Sequence, residues 1–263
     1  MTPVALTIAG SDPSGGAGLQ ADHKTFAAFG VYGASVVSAL TVQDTTRVHA
    51  VVPVEPSVVE AQLQVVLADL SVAAAKTGML ATGGIVEAVV GVLRAHPVPH
   101  LVVDPVLAAT AGQHLADDTL LPALRDRLLP LAALVTPNLA EAAALTGRPV
   151  RDVGEMRNAA RALVERGAGA ALVTGGHLPG DPCDVLFAAG ALHEFRRPRV
   201  ASARTHGTGC TLSAAIAAAL ALGRPLADAA REAQAYVARA LETAPAVGRG
   251  ARPLDHRVRP WDS

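Results

Sequence analysis

Short, continuously apolar runs alternate along the chain with longer segments in which apolar positions recur at helical spacing. Val4 to Ala9, Val72 to Lys76, His100 to Asp104, Ala133 to Thr136 and Ala170 to Thr174 are of the first kind and predict buried strands. Ala17 to Phe29, Pro56 to Leu70, Gly84 to Ala95, Asp117 to Leu129, Asn138 to Thr146 and Glu155 to Arg166 predict helices. Tyr32 to Val42 and Val48 to Val54 add two strands, and Val185 to Ala189 with Ala191 to Phe195 reads as a hairpin across Gly190. Two helices follow. Cys210 to Leu222 is apolar on every face, the mark of a buried helix, and Pro225 to Ala244 is the second. From Pro245 the chain is rich in Gly, Pro and Arg and reads as an irregular tail. Strands without a polar face, separated by helices, predict an α/β three-layer sandwich: a mostly parallel central sheet with helices on both faces. With no repeat or linker, residues 1–263 read as one domain.

Composition narrows the class. The 263 residues are 51% hydrophobic and 17% charged, with mean hydropathy +0.34, which suits one large domain rather than two. A net charge of −1 offers no footprint for nucleic acid or a membrane surface. The apolar run after Cys210 is the nearest approach to a bilayer span, and Arg224 and Pro225 end it early. The first residues, MTPVALTIAG, lack a basic region and turn polar at Ser11, so they read as a strand rather than a signal peptide. Cys183 and Cys210 are too few for a disulfide scaffold, which fits a reducing cytoplasm. Lys24 and Lys76 are the only lysines.

Ligands of such sheets sit where strands end and loops begin. The stretch RTHGTGCTLSAAI, Arg204 to Ile216, places a small flexible loop ahead of the most apolar helix. The N–H groups at a helix start have no intrahelical partners, and with the helix dipole they favour an anion. Gly207, Thr208 and Gly209 therefore predict an anion hole. Cys210, at the helix start, is expected to have its thiol pKa lowered from about 8.5 by the dipole. A second loop, Ala9 to Gly18, contains Gly16-x-Gly18-x-x-Ala21, a dinucleotide fingerprint, with Asp44 further on. Ser11 to Gly15 separate the strand from the first fingerprint glycine, whereas the true turn is tighter.

AGSDPSGGAGLQAD (Ala9 to Asp22) and THGTGCTLSAA (Thr205 to Ala215) resemble the hydroxymethylpyrimidine/phosphomethylpyrimidine kinases of thiamine biosynthesis, which have the ribokinase-like fold. The likeness continues, in family order, through SALTVQDT (Ser38 to Thr45), KTGML (Lys76 to Leu80), VVDPV (Val102 to Val106) and TPNLAEA (Thr136 to Ala142). GGH (Gly175 to His177) and DVLF (Asp184 to Phe187) complete it. It implies ATP-dependent phosphorylation of 4-amino-5-hydroxymethyl-2-methylpyrimidine, and then of the monophosphate, by a cytoplasmic homodimer. Mg²⁺ is the implied metal and a monovalent cation a further candidate.

The resemblance gives the site residues their expected roles. Cys210 becomes the catalytic base and the Gly207-Thr208-Gly209 loop the anion hole. Gly10, Asp22, Gln43, Met79 and Val106 are expected at the pyrimidine. Gln43 offers a donor and an acceptor to an aminopyrimidine edge, and Met79 and Val106 are apolar walls. Asn138, Thr174, Gly176, His206 and Thr208 are expected at ATP, with His206 alternatively bracing its loop. Asp104 and Glu141 suit Mg²⁺ and its waters, although Asn138 and Glu141 equally form a capping box. Lys76 is a partner for a carboxylate or phosphate. Two positions depart from related patterns. Thr174 stands where many relatives have lysine, and Cys210 where many sugar kinases of this fold have aspartate. Pyridoxal kinase is the nearest alternative and a nicotinamide-dependent oxidoreductase the alternative of another class.

Overall fold

The computed structural model describes residues 2–107, 117–200 and 205–261. A nine-stranded sheet in the order β3-β2-β1-β4-β5-β6-β7-β8-β9 forms the centre. Its strands are β1 (Val4–Ser11), β2 (Tyr32–Gln43), β3 (Val48–Pro53), β4 (Ala74–Thr77), β5 (His100–Val103), β6 (Leu134–Val135), β7 (Ala170–Val173), β8 (Cys183–Ala188) and β9 (Ala191–Arg196). From β2 to β7 the neighbours run parallel; β3, β8 and β9 add antiparallel margins. The period-2 alternation of strand side chains splits the core in two. Leu6, Ile8, Ala75, Leu101, Val103, Val135 and Val173 face one core, with α2 (Pro56–Asp69), α3 (Gly83–Ala95), α5 (Leu139–Thr146) and α6 (Val153–Glu165). Ala5, Ala74, Val102, Leu134 and Leu172 face the other, with α1 (Gly18–Ala28), α7 (Thr208–Ala221) and α8 (Leu226–Glu242). Every residue of α7 from Thr211 to Leu220 is buried, and its alanines let the helix lie close to the sheet. The expected three-layer α/β arrangement is what the chain adopts.

Two segments differ from the sequence reading. The helix expected over Asp117 to Leu129 is four α-helical residues, α4 (Leu120–Ala123), followed by a π turn (Leu124–Leu128) and a 3₁₀ turn (Leu129–Leu131). Pro130 lacks the N–H a continuing α-helix would use, and the change of winding keeps Leu120, Leu124, Leu128 and Leu129 all buried. The tail from Pro245 is irregular for most of its length but not loose. Its strand β11 (Arg252–Pro253) pairs in parallel with β10 (Thr205–His206), immediately before α7. Beyond it Leu254, Asp255 and His256 are buried, and Trp261 meets the Phe29 ring edge-on with centroids 5.6 Å apart.

Candidate active site

The parallel strands all end on one edge of the sheet, where their loops meet the first turn of α7. Beneath that edge lies a buried polar floor. Lys76 Nζ, fully buried, donates to both carboxylate oxygens of Asp22 at 2.9 and 3.1 Å, and Thr7 Oγ1 donates to Asp22 at 2.6 Å. Burial alone would depress the Lys76 pKa; the charge of Asp22, aided by Cys210 and Asp104, outweighs it and holds the ammonium charged. The carboxylate alternative for Lys76 is therefore the one realised. Asp22, expected as a contact to the pyrimidine, is wholly enclosed and its oxygens are taken, so it braces the floor from below.

Above the floor sits the cradle. Gly207 caps α7 with φ 85°, a left-handed conformation, and a Cβ there would lie 1.9 Å from the Gly16 carbonyl oxygen, so only glycine lets the two loops touch. The helix starts two residues earlier than the expected Cys210. Its first intrahelical bond runs from Thr211 N–H to the Gly207 carbonyl at 2.9 Å, leaving the N–H groups of Thr208, Gly209 and Cys210 for an anion. At Gly209 a Cβ would meet Asp104 Oδ2 at 3.9 Å, an ordinary contact, so this turn lies directly against Asp104. Ser213, one turn on, donates to Asp104 at 3.0 Å. The Cys210 thiol contradicts the expectation from the dipole. Burial pushes its pKa up to about 12, with the carboxylates Asp104 and Asp22 adding to the rise. The Lys76 charge and an N–H bond from Gly18 offset only part of it.

Asp104 and Glu141 converge on the other side of the cradle. Burial raises both carboxyl groups. Glu141 reaches about 8, with the charge of Asp104 as the next cause, and at Asp104 the attraction of Lys76 does not cancel the burial. Two nearly enclosed carboxyls, Glu141 raised further by the charge of Asp104, fit a divalent cation, whose charge would favour both ionised. The capping box is realised too: Asn138 N–H donates to Glu141 Oε2 at 2.9 Å, and Glu141 N–H to Asn138 Oδ1 at 3.0 Å. Asn138 also bridges to Thr174, whose N–H donates to the Pro137 carbonyl at 2.9 Å. Next to Thr174, Gly175 N–H is held by buried Asp184 at 2.8 Å, and Gly176 is exposed. Arg199 donates to the carbonyls of Gly176, Leu178 and Gly180, shaping this loop from outside.

On the opposite side, Met79 packs with Ala39 and Ala81, joined by Val106 and Val51, in a small apolar cluster at the strand ends. A Cβ at Gly10 would lie 2.3 Å from the Met79 methyl, so Gly10 gives the end of the Met79 side chain its place. The Gln43 amide reaches His206 Nε2 at 2.9 Å, and the same imidazole nitrogen lies 3.2 Å from Asp12 Oδ2. His206, expected at ATP, stands with Gln43 against Asp12 of the first glycine loop. Asp12 was not among the expected site residues. Its carboxylate accepts from the N–H groups of Ser14, Gly16 and Ala17 and from the Ser14 hydroxyl, shaping the loop. Aspartate ahead of Pro13-Ser14 was the available signal. This bonding also removes the dinucleotide reading, because the Gly16 and Ala17 N–H groups are spent on Asp12. Asp44 is likewise occupied, turning the β2–β3 connection through Thr46, Arg47 and His49.

The model of the phosphomethylpyrimidine kinase family matches residues 12–255. A hydroxymethylpyrimidine/phosphomethylpyrimidine kinase of Rhizobium meliloti is 48% identical over 99% of both chains. Among solved structures, an ADP complex of Bacillus subtilis pyridoxal kinase superposes with a TM-score of 0.90 at 34% identity, covering 97% of this chain and 98% of that one. A phosphomethylpyrimidine kinase of Clostridium difficile superposes at 0.80 with 36% identity, covering 89% and 97%. The fold, the shared edge and these matches place the chain in the phosphomethylpyrimidine kinase family.

Proposed function

We propose that the chain transfers the terminal phosphoryl group of ATP to the hydroxymethyl oxygen of 4-amino-5-hydroxymethyl-2-methylpyrimidine, and then a second one to the monophosphate. The observation that carries this is the Thr208-Gly209-Cys210 turn, whose N–H groups precede the first intrahelical bond and whose Gly209 lies against Asp104, at the strand-end edge that also carries Gln43 and the Met79–Val106 cluster. Oriented N–H groups there stabilise the charge that develops on a phosphoryl group in flight. The apolar cluster and Gln43 hold the ring with its hydroxymethyl group toward Cys210. Cys210 takes the hydroxyl proton, and the Lys76 ammonium, held by Asp22, braces the floor beneath it. Asp104 and Glu141 hold Mg²⁺, which neutralises phosphate charge when bound. The exposed strip by Thr174 and Gly176 is the nucleotide side. Thr174 contacts nucleotide through a hydroxyl, without a lysine's charge.

The setting is a reducing cytoplasm, where Cys183 and Cys210 stay free thiols, and a second copy of the chain is the partner. The test is ADP release with the pyrimidine alcohol, its monophosphate and pyridoxal in parallel, with K⁺ present and replaced. Turnover of both pyrimidines is expected. Turnover of pyridoxal alone would install the second reading, which the 0.90 superposition on a pyridoxal kinase favours.

A further inference from the structure

His206 meets two side chains through one ring nitrogen, and the proton on that nitrogen fixes the direction of the Gln43 amide. One imidazole nitrogen, Nε2, lies 2.9 Å from Gln43 Nε2 and 3.2 Å from Asp12 Oδ2. A ring nitrogen either carries a proton and donates, or lacks one and accepts. The amide nitrogen can only donate and needs an unprotonated Nε2. An ionised Asp12 can only accept and needs a protonated one. Asp12 settles the choice. Its oxygen Oδ1 accepts from the Ser14 N–H and hydroxyl at 2.9 and 2.7 Å. Its oxygen Oδ2 also accepts from Gly16 and Ala17 at 3.1 and 2.8 Å, as an anion does. Nε2 therefore carries the proton, and the Gln43 atom facing it has to be the amide oxygen.

The other end of the amide agrees. Thr41 Oγ1 is 3.3 Å from the other terminal atom of the Gln43 amide, and its hydroxyl proton already goes to the Ser11 carbonyl at 2.9 Å. With the amide turned, Gln43 NH₂ donates to that hydroxyl, and the single Nε2–H of His206 is shared between the amide oxygen and Asp12 Oδ2. Oxygen and nitrogen of a side-chain amide are distinguished by such networks.

We infer that His206, anchored by Asp12, holds the Gln43 amide with its oxygen toward the imidazole and its NH₂ toward Thr41. It thereby sets which way round an aminopyrimidine edge binds. The amide keeps one lone pair on the His206 side and one N–H on the Thr41 side. An exocyclic amino group donates to the first and a ring nitrogen accepts from the second. This inference rests on the pyrimidine substrate proposed above. His206 is thus a positioning residue for substrate orientation, acting through Gln43 rather than through the nucleotide.

The first measurement needs no substrate. ¹⁵N chemical shifts of the His206 ring in the ligand-free enzyme at neutral pH are expected to show a protonated Nε2; an unprotonated Nε2 overturns the inference whatever the enzyme phosphorylates. The second is kinetic. His206→Ala is expected to raise KM for the aminopyrimidine alcohol on the order of 10-fold, the scale of one mispaired buried hydrogen bond. KM for ATP should stay within about twofold, and the preference over the pyrimidine lacking the amino group should shrink. His206→Gln, which keeps a side-chain N–H, is expected to recover part of the preference. A fall in kcat with pyrimidine KM and preference unchanged would instead make His206 a brace of the anion loop alone. A wild-type enzyme that turns over no pyrimidine defeats the proposed function and leaves the ring measurement standing.

Discussion

At the scale of single residues, protonation decides which roles are open. A thiol whose pKa is pushed to about 12 holds its proton at neutral pH, so a Cys210 acting as base works through a small thiolate fraction. That fraction grows about tenfold per pH unit below the pKa. Phosphorylation of the alcohol is therefore expected to quicken steadily with pH from neutrality to pH 9, as read by single-turnover rates. The monophosphate, with a second pKa of about 6, is already a dianion and should level off near neutrality. Cys210→Ala should slow the alcohol step by about 10²–10⁴-fold and the second step far less; equal losses would leave the thiol a packing role. Glu141 gives an independent test. Its carboxyl is raised from 4.5 to about 8 by burial first and Asp104 second, so it binds a proton more tightly folded than unfolded. Its contribution to stability is present below about pH 4.5 and is lost as pH climbs through 8. The metal-free enzyme should lose thermal stability across that window, and Mg²⁺ should bind more tightly with rising pH while displacing a proton. Glu141→Gln keeps a group able to cap the helix and should flatten both trends in melting and calorimetric titrations.

At the scale of elements, strand runs and helix periods were legible because each has one solution to burial. Val102 and Val103 can only face opposite cores, and α7, apolar all round, can only lie inside. What was not legible depended on distant residues. The winding change at Leu124–Leu128 serves four leucines at once. The enclosure of Asp22 depends on Lys76, 54 residues away. The docking of the tail depends on groups of α7 and α8 that no local pattern reveals. The anion loop and the strand-end residues were readable as types and positions. The helix start at Thr208, the side on which His206 falls and the sign of the Cys210 shift needed the assembled site. The tail carries its own prediction. His256 Nε2 lies 3.0 Å from the buried Thr211 hydroxyl in the first turns of α7, and the Tyr236 hydroxyl donates to the His256 carbonyl at 3.2 Å. His256→Ala leaves the Thr211 hydroxyl without that partner and should cost on the order of 1–3 kcal/mol in denaturant unfolding. It should also lower kcat, because α7 carries the anion N–H groups. Burial, then Lys24, depresses the His256 pKa to about 4. The stability it lends is therefore full above about pH 6.5 and is lost as pH falls toward 4.

At the scale of the whole molecule, the sheet is unevenly protected. Two cores cover its parallel centre, whereas the β2–β3 hairpin at one margin exposes large apolar side chains. Leu40 and Val52 sit directly opposite one another and are each 54% exposed; Val42, two residues along β2 from Leu40, is 55% exposed. Side chains two apart on a strand share a face, so Leu40, Val42 and Val52 form one stripe rather than scattered contacts. A contiguous apolar stripe on a sheet margin tends toward association, and a strand at the edge has unpaired backbone groups besides. The hairpin also leads to Gln43 at the end of β2, so a partner seated on it would steady the residue proposed to meet the pyrimidine. A second copy meeting the same stripe by two-fold symmetry buries it twice over and closes the assembly at two chains. Light scattering after gel filtration should therefore report a dimer for the wild type. Leu40→Lys with Val52→Lys should give a folded monomer, since both side chains already face solvent in the single chain. The monomer is expected to show a raised KM for the pyrimidine and little change for ATP, whose proposed strip at Thr174 and Gly176 is carried by other strand ends than the hairpin's. A wild type that runs as a monomer, or a double variant that stays dimeric, would mean that the stripe does not hold the copies together.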